Sequence, residues 1–420
     1  MAKNAQTDIK RFLIVDDNEE SQVIVRALLS QLQIQSITME SSGEAALEQV
    51  EPKRIEFLIV NWDLGGKMSA GTFLQRIKSR NAFRHLPFTI YSESFDEDDL
   101  ALLKDYGIEN IFSAPIDRDE ALQVLERSIK KENEMDQSTR RLRQAAGYLS
   151  GNDTEEAMNM VKEAMHNEDT KSLAHSLKGE IHVARDELPD AETDLNKSLE
   201  LDSQNSNAMQ TMAKVYSRTD RHDEAIQMLS QMVQLSPKNL SNMISLGGAY
   251  VDADEHDKAR AELEKVTKVD PDNPDVKDQL GKMAFKEKNF DLAQEILANS
   301  LNKDELGRTF NNVGIGQVAK GDFDDGIKSY DVAMKILGDN KYSHLLIYNK
   351  GLAYKKKGDL AEAFEMFYQS YKRMPAYDKA YSSLVRLVNA MKKENIPVDG
   401  KKVEEVKALR KSEVDKLKAS

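Results

Sequence analysis

The sequence contains no cysteine, which excludes disulfide bonds, thiolate catalysis and cysteine-ligated zinc. It has no run of 18 apolar residues, and its opening stretch, MAKNAQTDIKRFLIVDD, is too polar for a signal peptide. Cations are outnumbered, with 59 Lys and Arg against 72 Asp and Glu. A net charge of −13 argues against general nucleic-acid binding, which needs clustered positive charge. We therefore expect a cytoplasmic protein that neither binds nucleic acid nor inserts into a membrane.

The chain is long enough for more than one hydrophobic core. It has 420 residues, of which 40% are hydrophobic and 31% charged. A single core rarely extends over that length, so two or more folded units are expected.

The first part of the chain, residues 9–130, alternates short apolar runs with amphipathic helical stretches. The runs are FLIV at 12–15, SITM at 36–39, FLIV at 57–60, FTIY at 88–91 and NIF at 110–112. Apolar strands that alternate with helices predict a doubly wound α/β domain with a five-stranded parallel sheet. In such sheets the functional crevice lies beyond the carboxyl ends of the strands.

The second part of the chain, residues 138–377, repeats itself seven times. A small residue recurs near the start of the second helix of each unit: Ala157, Ala191, Ala225, Ala259, Ala293, Gly326 and Ala363. Four successive gaps are 34 residues, followed by 33 and 37. A tyrosine stands nine residues before this position in several units, among them Tyr148, Tyr250 and Tyr354. The period resembles that of the tetratricopeptide repeat family, which implies an all-α solenoid that binds other proteins.

The segments that flank the repeats are also predicted to be helical. Residues 118–150 contain no proline, so a helical junction at 131–137 is expected to link the last helix of the α/β domain to the first repeat. A capping helix is predicted at 378–396. An amphipathic helix follows at 398–420, and its apolar stripe consists of Val403, Val406, Leu409, Val414 and Leu417. We expect this terminal helix to dock on the repeats rather than to bind a partner. Self-association of the protein through this helix remains an alternative.

The segment FLIVDDNEESQVIVRALL at 12–29 resembles the opening of two-component receiver domains of bacterial type. In that family two acidic residues after the first strand hold Mg²⁺. The resemblance places Asp16 and Asp17 at those positions, where clustered carboxylates suit a hard cation. No cofactor is required by the sequence, and Mg²⁺ is expected to bind weakly or not at all because a third carboxylate is missing.

The phosphorylation chemistry of that family is incomplete in this chain. The third strand, in EFLIVNWDLGG, ends in Asn61 where the family has its phosphoacceptor aspartate. A carboxamide has no carboxylate oxygen with which to form an acyl phosphate. Ser92 matches the family's hydroxyl residue, but Ala114 and Pro115 stand where the family has Lys-Pro. The resemblance therefore implies a pseudo-receiver that serves as a docking domain.

Two alternatives concern the same segment. Asp63 could act as a displaced acceptor, which would require the third strand to slip by two residues and bury Asn61. Ser92 could also be an ordinary polar residue at the end of a strand.

In the tetratricopeptide family the first helix of each unit lines a concave groove. The residues at those positions are Gln210, Lys214, Gln279, Lys282, Arg308, Asn311, Asn312, Tyr348 and Asn349. Asn and Gln amides can pair with the backbone of an extended peptide or a helix end, and the two cations suit carboxylates or phosphates. A solvated helix face is the alternative for each of them.

No enzymatic motif appears in the sequence. His175 and His182 are seven residues apart and could share a helix face, but two histidines alone seldom make a zinc site. The leading hypothesis is a signalling adaptor that binds one protein through the receiver and another through the repeats. The rivals are a response regulator phosphorylated on Asp63 and an assembly factor in which the receiver caps the solenoid.

Overall fold

A computed structural model describes residues 9–51, 54–80, 83–298, 300, 303–338 and 342–419, with side chains left undescribed at 304, 305 and 413–419. These residues divide into two compact units, with the boundary between Asn273 and Pro274. None of the described helices combines the length and apolarity needed to cross a lipid bilayer.

The predicted five-stranded parallel sheet is confirmed. Its strands are β1 (Arg11–Val15), β2 (Ser36–Glu40), β3 (Phe57–Asn61), β4 (Phe88–Ser92) and β5 (Ile111–Ser113). They are parallel throughout and lie in the order β2-β1-β3-β4-β5. From β1 the chain first adds β2 on one side and then adds β3, β4 and β5 on the other side. The switch point of the sheet therefore lies between β1 and β3.

Five helices cover the two faces of the sheet. They are α1 (Glu19–Gln31), α2 (Gly43–Gln49), α3 (Ala70–Lys78), α4 (Glu97–Asp105) and α5 (Arg118–Asn133). Alternate residues of each strand serve opposite cores: Leu13 and Leu58 pack on the α3 side, whereas Phe12 and Phe57 pack on the α1 and α5 side. Both faces are buried, which explains why the strands read as continuous apolar runs.

The stretch 118–150 is two helices rather than one. After α5 ends, the chain turns, and the side chain of Asp136 accepts a hydrogen bond from the backbone N–H of Thr139. This N-cap starts α6 (Gln137–Ser150).

Four helical pairs complete the first unit. The helices are α6 with α7 (Thr154–Ala164), α8 (Lys171–Ala184) with α9 (Leu188–Leu201), α10 (Ser206–Arg218) with α11 (His222–Leu235), and α12 (Leu240–Asp252) with α13 (His256–Val269). The glycine positions of the repeat allow the two helices of a pair to touch: a Cβ on Gly179 would lie 2.6 Å from the side chain of Leu195.

The turn within each of these pairs contains one residue with a left-handed backbone conformation. Asn152, Asp186, Asp220 and Asp254 occupy this position at 34-residue intervals, with φ between 59° and 65°. Asn and Asp tolerate this conformation better than most residues because their short side chains can bond the local backbone.

The second unit is also helical. It contains three pairs, α14 (Pro274–Lys286) with α15 (Phe290–Leu297), α16 (Lys303–Lys320) with α17 (Phe323–Leu337), and α18 (Ser343–Lys357) with α19 (Leu360–Arg373). They are followed by α20 (Asp378–Lys393) and α21 (Gly400–Ala419).

Within the second unit, the C-terminal helix α21 packs on α19 and α20. Val406 is buried, and Val403 and Leu409 are partly buried against the cluster of α19 and α20. The remaining two members of the predicted stripe, Val414 and Leu417, lie outside the described side chains.

Candidate functional site

Three neighbouring strands end side by side and carry polar residues at the same edge of the sheet. Asp16 directly follows β1, Asn61 is the last residue of β3, and Ser92 is the last residue of β4. The register pairs Val15 with Val60 and Asn61 with Tyr91, so these ends are level with one another. The predicted crevice residues therefore lie together at the carboxyl edge.

The carboxylate of Asp16 is fully buried and bonded through both oxygens. Its Oδ1 accepts hydrogen bonds from Nδ2 of Asn61 at 2.9 Å and from the backbone N–H of Asn18 at 3.0 Å. Its Oδ2 accepts the hydroxyl of Tyr91 at 2.5 Å. A buried carboxylate needs such donors to remain charged.

Tyr91 is a member of this site that the sequence analysis missed. Its ring is buried and stacks on Phe112, with centroids 4.9 Å apart. Burial, together with the hydrogen bond to Asp16, raises the pKa of Tyr91 far above its ordinary value, so the hydroxyl stays a donor. An aromatic with a hydroxyl just before the end of a strand, in FTIYS, was the available signal.

Asp17 and Asp63 are exposed at the same edge. The carboxylate of Asp17 accepts a hydrogen bond from the backbone N–H of Gly65 at 3.0 Å. Asp63 accepts the hydroxyl of Ser92 at 2.9 Å and the backbone N–H of Glu93 at 2.8 Å. Each carboxylate thus holds a loop in place.

Asp63 reaches Ser92 without any slip of the third strand. Strand β3 ends at Asn61, which is half-buried, and Asp63 lies in the following turn. The Oδ1 of Asn61 accepts the backbone N–H of Asp63 at 3.0 Å and so closes that turn.

Ala114 and Pro115 follow β5 and offer no cation to the crevice. The backbone N–H of Ala114 donates to the carbonyl of Ser92 at 2.7 Å, and its methyl group packs on the α1 and α5 side of the sheet. The chemical role of a lysine at this position is therefore not supplied by Ala114.

A second polar site was not predicted: the α3 and α4 side of the α/β domain contacts the helical pairs within the first unit. Arg76 on α3 forms a two-pronged ion pair with Asp270, whose side chain is 1% exposed. The bond to Asp270 raises the pKa of Arg76. Arg84 makes a similar fork to Glu180 on α8, at 2.9 and 3.1 Å.

The turn between α11 and α12 presents its backbone to this side. Gln75 on α3 donates to the carbonyl of Lys238 at 3.1 Å and accepts the backbone N–H of Leu240 at 2.6 Å. The ammonium of Lys238 pairs with Asp96 at 2.6 Å and Asp99 at 2.7 Å, near the start of α4.

The far end of α4 completes the contact. Asp105 accepts hydrogen bonds from the side chains of Ser206 and Asn239. Because Ser206, Asn239 and Asp270 lie in or beside three consecutive inter-pair turns, the 34-residue period sets the spacing of the contacts. We call this set of contacts the α3–α4 interface.

The predicted groove residues of the first unit are Gln210 and Lys214 on α10. The amide of Gln210 donates to the hydroxyls of Ser241 and Ser245 on α12, at 3.0 and 3.2 Å. Lys214 is exposed. Gln210 therefore bridges adjacent first helices.

In the second unit, the predicted groove residues lie on α14, α16 and α18. Gln279 and Lys282 are half-buried, whereas Arg308 and Asn312 are exposed. Asn349 donates to Oδ1 of Asn311 at 2.8 Å, and the hydroxyl of Tyr348 lies 3.1 Å from that of Ser383. The structure thus brings Asn311 and Asn349 into direct contact.

Comparison with known families explains both parts of the chain. The family model of the response regulator receiver domain matches residues 12–126, and two tetratricopeptide repeat models match 220–283 and 346–377. The chain is a receiver domain fused to tetratricopeptide repeats. No curated protein matches the sequence.

Solved structures resemble one part or the other at low identity. The phosphorylated cyanobacterial phytochrome response regulator RcpA is 19% identical, with 30% of this chain and 94% of that chain covered and a TM-score of 0.26. A chain of the APC/C hetero-tetramer Cut9-Hcn1 is 17% identical, with 69% of this chain and 56% of that chain covered and a TM-score of 0.43. Yeast Tom70 is 19% identical, with 67% of this chain and 65% of that chain covered and a TM-score of 0.41. The chain thus spans little more than half the length of the matched Cut9-Hcn1 chain.

Proposed function

We propose that this protein is a non-enzymatic cytoplasmic signalling adaptor of a two-component-type pathway. Its receiver docks on a signalling protein without being phosphorylated, and its repeats bind a second protein. The observation that carries this proposal is the pairing of Asp16, whose two oxygens are bonded to Asn61 and Tyr91. Mg²⁺ would have to displace both donors from a buried carboxylate, which opposes the metal-dependent step of phosphorylation.

The test is the intact mass of the full chain after incubation with Mg²⁺ and acetyl phosphate or beryllofluoride. We expect no adduct on the wild-type protein. Asp63→Ala is measured beside it, because Asp63 is the carboxylate that could replace the missing acceptor. An adduct that disappears in Asp63→Ala would overturn the pseudo-receiver proposal.

Phosphorylation on Asp63 is the second candidate, and one contact favours it. Asp63 is exposed and its carboxylate is bonded to Ser92, the hydroxyl residue that the receiver resemblance places at the phosphoryl site. The absence of a cation at Ala114 weighs against it, since a phosphoryl group gains much from a paired ammonium.

A purely structural role, in which the receiver only caps the repeats, is the third candidate. The α3–α4 interface favours it, because a large polar face of the receiver is committed to the repeats. The exposure of Asp17 and Asp63 favours docking instead, because the carboxyl edge stays accessible to a partner.

The repeats are proposed to bind an extended peptide or helix end at Asn311, Asn312 and Asn349. Two of these amides already pair with each other, so a ligand backbone would add to an existing row of donors and acceptors. Exposed Arg308 lies on the same helix, α16, and suits an acidic group on that ligand.

A further inference from the structure

A cleft of about 560 Å³ lies within the first unit, at the amino edge of the sheet. The residues that precede β1, β3 and β4 form one wall of the cleft, and the end of α5 with the first turns of α6 forms the other. Asp16, Asn61 and Ser92 lie at the opposite, carboxyl edge. Small-molecule sites have volumes of about 300 to 1,000 Å³, so the cleft is large enough for such a ligand.

The buried part of the lining is apolar, and we call it the floor of the cleft. Ile55 and Phe83 are only 5% and 7% exposed. Leu86, Pro87 and Met135 also line the cleft and are half-buried. Because such walls offer water no hydrogen bonds, the floor suits the apolar part of a ligand.

Two carboxylates line the cleft, and each already has a cation. Glu56 accepts the guanidinium of Arg11 at 2.5 Å and the backbone N–H of Lys10 at 2.9 Å. Glu132 forms a two-pronged pair with Arg143, at 2.6 and 3.0 Å. Neither acid therefore presents an uncompensated negative charge to the cleft.

Two cations at the cleft have no ion-pair partner among the described side chains. Arg140 on α6 is exposed, and its guanidinium donates to the backbone carbonyl of Asn133 at 2.9 Å. The ammonium of Lys78 on α3 donates to the carbonyls of Arg84 and Leu86, at 3.1 and 2.7 Å. The surroundings of the cleft thus carry positive charge that its two acids do not neutralise.

The imidazole of His85, which also lines the cleft, experiences this positive charge. Desolvation by the surrounding protein is the main cause that lowers the pKa of His85. The neighbouring charges that lower this pKa further are all positive: Arg84, Arg143 and Lys78. The ring is therefore neutral at pH 7 and can donate one hydrogen bond, and it has no hydrogen-bond partner among the described residues.

We propose that this cleft binds a small organic anion, with the apolar body of the ligand on the floor and its charged group between Arg140 and His85. A guanidinium and an imidazole N–H both donate to carboxylate or sulfonate oxygens. The ligand would contact the receiver and α6, the first helix of the repeats, at once. The proposal does not depend on the pseudo-receiver, because the cleft lies at the other edge of the sheet.

The test is a fluorescence titration of the full chain with 8-anilinonaphthalene-1-sulfonate, an apolar anion whose emission rises when its rings leave water. We expect one saturable site per chain. Arg140→Gln should weaken the binding of this probe at least about tenfold, because the charged donor to the sulfonate is lost. N-phenyl-1-naphthylamine has the same rings without the sulfonate, so it should bind wild type and Arg140→Gln equally.

Two further variants test whether the probes bind in this cleft. Gln144→Trp introduces an indole at the exposed edge of the cleft and should weaken both probes, since it narrows the entrance. Arg127→Gln is the matched control for Arg140→Gln, because Arg127 is an exposed arginine of α5 outside the cleft. It should change the binding of neither probe.

Absence of saturable sulfonate binding by the wild type would overturn the proposal. So would unchanged binding in Arg140→Gln or Gln144→Trp, or a loss in Arg127→Gln as large as that in Arg140→Gln. If Arg140→Gln weakened both probes equally, Arg140 would maintain the shape of the cleft without recognising the anion, and the proposal would be wrong.

Discussion

At the carboxyl edge of its sheet the receiver leaves Asp17 and Asp63 exposed, whereas on its α3 side Arg76 meets a carboxylate that is almost completely buried. At the carboxyl edge, Asn61 and Ala114 stand where the receiver resemblance places a carboxylate and a lysine, and Asp16 is held by hydrogen bonds from Asn61 and Tyr91. The α3–α4 interface has the opposite character, with complete ion pairs between distant parts of the chain. This difference supports the proposal that the domain binds a partner and is not phosphorylated.

The largest expected effect comes from breaking the most buried pair of the α3–α4 interface. Arg76→Ala leaves Asp270 buried without its guanidinium, which should cost about 3 kcal/mol of unfolding free energy. Urea unfolding can be followed through Trp62, the only tryptophan, whose ring lies next to Gly71 on α3. Its fluorescence therefore reports on the region that the substitution perturbs.

The control for this substitution is an exposed ion pair of the same domain. Lys131 and Glu109 are 3.1 Å apart, and their side chains are 61% and 75% exposed. Lys131→Ala should cost no more than about 1 kcal/mol because water screens the pair. Equal losses in the two variants would show that Arg76 and Asp270 do not pair in solution.

A smaller loss is expected at the carboxyl edge. Tyr91→Phe removes one hydrogen-bond donor from the buried carboxyl group of Asp16, which should cost about 2 kcal/mol in the same urea experiment. Tyr106→Phe is the matched control, since its hydroxyl is 3.5 Å from Oδ1 of Asn239 and bonds weakly at best. A Tyr91→Phe loss no larger than that of Tyr106→Phe would contradict the role given to this hydroxyl.

Much of the architecture could be predicted from sequence because its signals are local. The strand before Asp16 and the strand ending at Asn61 are apolar runs, and the repeats follow a fixed period. The pairing of Tyr91 with Asp16 joins residues 75 positions apart, and Arg76 is 194 positions from Asp270. The sequence pattern around a single charge on an amphipathic helix does not indicate which distant residue it pairs with. The α3–α4 interface could therefore not be derived from these patterns.

The repeat period also contained a signal that the sequence analysis did not use. Tyrosine was noted at several units, but His182, which takes the same place in the second unit, was considered only as a possible partner of His175. Comparing units position by position would have singled out the third and fourth units, where Arg221 and Lys258 place a cation over the tyrosine ring of the repeat. Equivalent positions in a repeat protein are therefore informative even without an alignment of relatives.

Stability should depend on pH through Lys78 on α3. Its ammonium donates to the carbonyls of Arg84 and Leu86 and faces Arg143 on α6 and Glu132 on α5. Burial, reinforced by the charge of Arg143, lowers the pKa of Lys78 from 10.5 to about 7. The unfolded chain therefore binds more protons between pH 7 and 10.5, and this group makes stability rise with pH in that window.

The measurement is the difference between wild type and Lys78→Met in unfolding free energy at pH 7 and pH 9. The wild type should gain relative to the variant by at most about 1.4 kcal/mol per pH unit, the limit for one proton. A difference that stays constant across this range would mean that Lys78 titrates near its ordinary value in the folded protein.

The smallest effect is expected at Lys238, on the solvent side of the α3–α4 interface. Its side chain is 40% exposed, and Asp96 is more exposed still, so Lys238→Ala should cost only about 0.5 kcal/mol. The carbonyl of Lys238 still accepts the amide of Gln75 after the substitution, and that main-chain contact should keep the turn in place. Because exposed charges are screened by salt, the loss should shrink further at high ionic strength, whereas the loss in Arg76→Ala should persist. A Lys238→Ala loss that is large and independent of salt would mean that Lys238 is shielded from solvent as well as Arg76 is. The distinction between an exposed edge and a buried centre of the α3–α4 interface would then be wrong.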